Sequence, residues 1–99
     1  MHLLEKHKHE IVRLCQKHKV ARLYAFGSVI RDDFSISSDV DLVVSFADAE
    51  LALYADNYYD FKFSLERLFE RNVDLLEEQA IRNSRLRAEI DRTKVAVYG

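Results

Sequence analysis

Proline is absent from the 99 residues, and glycine occurs only at Gly27 and Gly99. With so few glycines, one that interrupts an apolar run marks a turn or a close backbone approach rather than general flexibility. Cysteine occurs once, as Cys15. That excludes an intrachain disulfide and a CxxC-type zinc site, and it fits a reducing compartment. No apolar run reaches the roughly 18 residues that a membrane helix needs. The first ten residues carry four charges and three histidines, and they lack the apolar core of a signal peptide. The expected location is the cytoplasm. Basic charge is not in excess either: 15 Lys and Arg stand against 17 Asp and Glu, a net charge of −2. This argues against an extended nucleic-acid surface and leaves local basic patches open.

What is present reads as one domain spanning residues 1–99. A chain of this size buries roughly 60–65% of its unfolded surface, enough for one modest core. Any ligand site is then expected to be open on one side, with room for a partner to complete it. Residues 2–18 have helical spacing, with Leu4, Ile11, Leu14, Cys15 and His18 on one side and His7 or Lys8 filling the missing turn. His2, His7, His9 and His18 are scattered around this charged helix without a matched carboxylate or cysteine set, so they are not read as metal ligands. Residues 20–26 form a strand, and Ser28 leads into a possible helical turn over Val29–Asp32. Residues 39–46 form a second strand, and 47–52 a connection. The longest helix covers 53–70, with Tyr54, Tyr58, Phe61, Leu65 and Leu68 as its buried stripe. A third strand covers 72–76. A short helix over Ser84–Thr93 is capped by Asn83 or Ser84, and Lys94–Tyr98 is a final strand. The predicted class is α/β (α+β): a small mixed sheet of three to four strands with helices packed on it. The short link between the first two strands favours an antiparallel pair, and the helical crossover allows a parallel third.

The chemistry gathers between Leu23 and Val44. Asp39 and Asp41 alternate on the second strand, so both point to one face, about 6.6 Å apart along it. Two carboxylates so placed repel each other, and a hard divalent cation such as Mg²⁺ relieves that repulsion through oxygen ligands. Two ions about 3.5–4 Å apart can share such a pair with a bridging phosphate. The bland alternative is two aspartates that open a strand in solvent. Gly27 and Ser28 leave the first strand in a turn that can aim N–H groups and a hydroxyl at phosphate oxygens. Arg31 is within reach of the same anion. Asp74 lies on the polar side of the third strand. Beside the second strand it would add a third carboxylate, able to ligate metal or take a proton.

Phe26-Gly27-Ser28, Arg31, Ser38-Asp39-Val40-Asp41-Leu42-Val43 and Val73-Asp74-Leu75 resemble the minimal nucleotidyltransferases of the DNA polymerase β-like superfamily. The resemblance extends to the close of the chain, Ala80-Ile81-Arg82-Asn83 and Val95-Ala96-Val97-Tyr98. It implies a nucleotidyltransferase core with Asp39, Asp41 and Asp74 as Mg²⁺ ligands, Asp74 serving as third ligand or base. It implies Gly27 and Ser28 as the triphosphate cradle. The implied reaction is attack of a hydroxyl on the α-phosphorus of a nucleoside triphosphate, ATP above all. Small stand-alone members resemble antitoxins that transfer AMP to a tyrosine of a HEPN-domain toxin. Two positions depart from the usual pattern. Val29 stands where a basic residue is common, and Asp32 stands where glycine usually follows the arginine. Asp32 and Asp33 bring negative charge to the expected triphosphate site. They motivate an alternative, an antitoxin that masks its toxin by contact without chemistry. Transfer to a small molecule is a third reading, whose relatives usually carry a further domain.

Two surfaces remain. Tyr59 and Phe63 either form an exposed patch for a partner or widen the core stripe beneath the first helix. Arg82, Arg85, Arg87, Arg92 and Lys94 are basic but offset by Glu89 and Asp91, and are read mainly as a solvated face.

Overall fold

The computed structural model describes residues 2–31, 38–47 and 51–99. In it the apolar runs become β1 (Val20–Phe26), β2 (Val40–Phe46), β3 (Val73–Glu77) and β4 (Val95–Tyr98). They form a mixed four-stranded sheet in the order β3-β2-β1-β4. β1 pairs antiparallel with β2 and β4, and β2 pairs parallel with β3. The helix that returns the chain between β2 and β3 is the crossover that a parallel pair requires.

The helices are α1 (His2–Lys6), α2 (Lys8–Lys17), α3 (Leu51–Phe69) and α4 (Ser84–Thr93), with 3₁₀ turns at Gly27–Ile30 and Glu78–Ala80. The single first helix expected over 2–18 is therefore two. The break falls at His7, whose backbone leaves helical geometry and whose ring packs edge-on against Phe69, 5.8 Å between centroids. Leu4, Ile11, Cys15 and His18 are buried as their spacing predicts, and His7 is the residue that fills the gap. α3 begins at Leu51, earlier than expected, and the preceding residues 48–50 lie outside those described. The turn after β1 starts at Gly27 itself rather than after Ser28.

The main core lies between one face of the sheet and the pair α2–α3. Leu23, Ala25, Val40, Leu42, Val44 and Leu75 meet Ile11, Cys15, Phe61 and Leu65 in one buried cluster. Burial pushes the Cys15 thiol up to about 12, which leaves it protonated and unreactive. Tyr54 and Tyr58 are less purely apolar than their stripe suggests. The Tyr54 hydroxyl donates to Glu77, and the Tyr58 hydroxyl donates to the Leu75 carbonyl at 2.5 Å. Half-buried tyrosines tend to find such partners for their polar tips. With glycine so scarce, Lys19 (φ 59°) and Glu70 (φ 56°) take left-handed backbone positions just after α2 and α3, the place where helices usually end on glycine.

α4 starts where its cap predicts. The Asn83 side chain accepts from the N–H groups of Arg85 and Leu86, each at 3.0 Å. Asn83→Ala removes both bonds and is expected to cost about 1 kcal/mol, a fall in Tm of about 4–8 °C for a domain of this size. Asn83→Asp should recover most of it in the same melts. The basic residues here are largely compensated. Arg92 pairs with Glu89 at 2.6 Å, Lys94 with Asp91 at 3.1 Å, and Arg87 donates to the Glu78 carbonyl. Arg82 and Arg85 of the same patch are exposed. No described helix is long and apolar enough to cross a membrane.

Candidate active site

Period-two alternation puts Asp39, Asp41, Val43 and Ser45 on the side of β2 away from α2 and α3. The register then supplies their neighbours. Asp41 is paired with Phe26 at the end of β1 and, on its other side, with Asp74 of β3. Adjacent strands run about 4.8 Å apart, so the third aspartate flanks the second directly. Asp39 and Asp74 are exposed, whereas Asp41 is half-buried between them. The three carboxylates expected to converge thus share one face at one end of the central strands.

Backbone contacts hold this end together. The Val40 N–H donates to the Asn72 carbonyl at 3.0 Å, and the Arg71 guanidinium donates to the Ser38 carbonyl at 3.2 Å. The Val73 N–H donates to the Glu66 carboxylate at 2.9 Å. Arg71 and Glu66 were not singled out in the sequence. Only the position of Arg71 in Arg71-Asn72-Val73-Asp74 hints at its part, tying the approach to β3 to the residue before Asp39.

Gly27 follows β1 with φ +74°, in the left-handed region that favours glycine. A Cβ built there would lie 2.4 Å from Asp41 Oδ2 and 3.3 Å from its Cγ. The close approach expected at this glycine is therefore, first of all, that of the Asp41 carboxylate. Ser28 is half-buried in the following turn, where its carbonyl accepts from the Arg31 N–H at 3.1 Å. Asp32 and Asp33 lie outside the described residues.

The electrostatics agree with the register. Burial raises the Asp41 pKa above its ordinary 3.8, the Asp74 and Asp39 charges raise it further, and Arg31 opposes them. Among the described residues, no three of His, Cys, Asp and Glu stand close enough to form a ready-made metal cage. The arrangement is an open acidic face with oxygen donors only. Its donor chemistry fits a hard divalent cation, with positions left for phosphate oxygens.

Ionising Asp41 thus works against folding. Its folded pKa lies above the unfolded one, so stability falls as pH rises through that range. Asp41→Asn removes the effect. The variant is expected to melt higher than wild type by about 1–5 °C near neutral pH, on the scale of one relieved cross-strand repulsion. The advantage should shrink as pH falls toward the ordinary carboxylate value of 3.8. Thermal melts of both chains across pH check the sign.

Val43 shares this face but is only 2% exposed. The end of α4 reaches this side of the sheet, with Lys94 Nζ 4.4 Å from the ring centroid of Tyr24, the cross-strand partner of Val43. The aspartate face is therefore covered away from the carboxylates and open beside them.

Comparison with known proteins points the same way. The family model for the nucleotidyltransferase domain matches residues 10–97. A Methanocaldococcus jannaschii protein provisionally named a protein adenylyltransferase is 31% identical over 74 residues, 75% of this chain and 76% of its own length. A solved structure provisionally named a minimal nucleotidyltransferase superposes with TM-score 0.75 at 30% identity, covering 93% of this chain and 90% of the other. The tri-AMPylated Shewanella oneidensis HEPN toxin in complex with an MNT antitoxin contains a similar fold. There the TM-score is 0.67 at 19% identity, over 97% of this chain and 72% of that one.

Proposed function

This chain belongs to the nucleotidyltransferase domain family, and from that premise we propose that it is a Mg²⁺-dependent adenylyltransferase and antitoxin. In this reading it moves AMP from ATP onto a tyrosine hydroxyl of a HEPN-domain toxin and thereby silences it. The observation that carries the proposal is the parallel register pairing Asp41 with Asp74, with Asp39 on the same face and Gly27 and Arg31 beside them. The names of the relatives support the chemical class, and the tri-AMPylated toxin bound to an MNT antitoxin supports the acceptor class.

Asp39 and Asp41 would hold the cation, with Asp74 as third ligand or base. A divalent cation bound there would neutralise charge on the triphosphate. Gly27 and Ser28 face the phosphates at the turn, and Arg31 adds positive charge on the same side. The tyrosine oxygen attacks the α-phosphorus, its proton passes to Asp74, and the bond to the β-phosphate oxygen breaks to release pyrophosphate. Most of the acceleration then comes from positioning and charge neutralisation.

The test is incubation of the purified chain with adenine-labelled ATP, Mg²⁺ and the product of the adjacent gene, the expected HEPN-domain toxin, with mass spectrometry of the acceptor. AMP on a tyrosine, lost when that tyrosine becomes phenylalanine, is the expected outcome. Absence of label, with toxin activity still blocked by the chain, would replace transfer by masking.

A further inference from the structure

We propose that the seam between α2 and α3 is a docking groove for an acidic amphipathic helix of a partner protein. The seam lies on the outer side of the helical layer, across the sheet from the aspartates, so this proposal is independent of the transfer chemistry. Two clefts that share Lys17, Ser64 and Arg67 line it continuously, with volumes of about 620 and 180 Å³. Its floor is apolar: Leu14 and Leu68 are only half-buried and continue the main core outward. At one end Phe63 is 46% exposed and stacks on Tyr59, 51% exposed, at 5.9 Å between centroids. Of the two arrangements open for these rings, the structure has the exposed one. Aromatic residues and arginine around an apolar strip are the composition enriched at protein interfaces.

Charge selects the occupant. Arg13, Lys17 and Arg67 are exposed along the groove, and none forms an ion pair within 4.0 Å among the described residues. Among the described residues Arg67 donates to Ser64, at 3.2 Å. Lys62 adds a further cation beside Phe63, 6.0 Å from its ring centroid. On a chain of net charge −2 this is a local concentration of positive charge. Glu10 and Asp60, one in each cleft, break the positive surface. A continuous phosphate backbone would meet those two carboxylates. A helix meets the groove with discrete side chains: apolar ones at i, i+3, i+4 and i+7 enter the floor, and flanking acidic ones face Arg13, Lys17 and Arg67.

The test uses the full chain and a fluorescent synthetic helix of about four turns, with leucine at those positions and glutamate on the flanks. Its sibling with lysine in place of glutamate and a single-stranded oligouridine serve as competitors. Anisotropy should show saturable binding of the acidic helix, and Lys17→Glu/Arg67→Glu should weaken it at least about tenfold by reversing two rim charges. Phe63→Ser should weaken it as well, without changing its salt dependence, and circular dichroism verifies that the variants fold. No binding, equal binding of the lysine sibling, or unchanged affinity in the charge-reversal variant overturns the proposal. Tighter binding of the oligouridine overturns it in favour of nucleic acid.

Discussion

Asp39→Asn/Asp41→Asn is expected to lower AMP transfer by more than about 10³-fold, above the range for loss of a single transition-state donor. Both substitutions keep the side-chain volume and remove the negative oxygen pair. The folded chain should persist, because Asp39 is exposed and the Asp41 charge is already unfavourable in place. Loss of activity in a chain that melts at or above the wild-type temperature would separate chemistry from folding. Transfer at the wild-type rate would remove these two residues from the site. The same variant divides the two antitoxin readings in cells. If it still neutralises the toxin, contact suffices. If it binds the toxin and fails to neutralise it, chemistry is required.

Gly27→Ala should damage both stability and transfer, through two separable causes. An alanine at φ +74° carries the left-handed penalty of about 1–2 kcal/mol, which corresponds to a fall in Tm of about 5–15 °C. Its Cβ would also stand 2.4 Å from Asp41 Oδ2, so the carboxylate must turn away from the position it now holds. Activity should therefore fall by about 10²-fold, the scale expected when a positioned group shifts by about 1 Å. A double-mutant cycle with Asp41→Ala distinguishes the two. The backbone penalty remains when the carboxylate is gone, whereas the clash does not, so the paired substitutions should cost less than their sum. Strict additivity would mean that Gly27 serves its backbone conformation alone.

Much of this site was legible in the chain because its signals are local. Alternation on β2 placed Asp39 and Asp41 on one face, and a lone internal glycine announced a close approach. The strand, turn and cap positions followed from the same short-range rules, to within a few residues at most boundaries. What approaches Gly27 was not legible, since Asp41 reaches it only when β1 and β2 pair. Nor was the break at His7, which accompanies a ring contact with Phe69 at the far end of α3. Nor was the burial of Val43, which shares the aspartate face yet is only 2% exposed.

The residue types and their periodicity thus determined the elements, the mixed sheet and the set of chemistry-bearing side chains, because helix and strand periods are properties of the backbone alone. Tertiary structure decided which of those side chains meet. The pairing of Asp41 with Asp74, and the exposure of Tyr59 and Phe63 beside the α2–α3 groove, depend on strand register and on which helix covers which face. Those are set by how the whole core packs, and no window of sequence contains them.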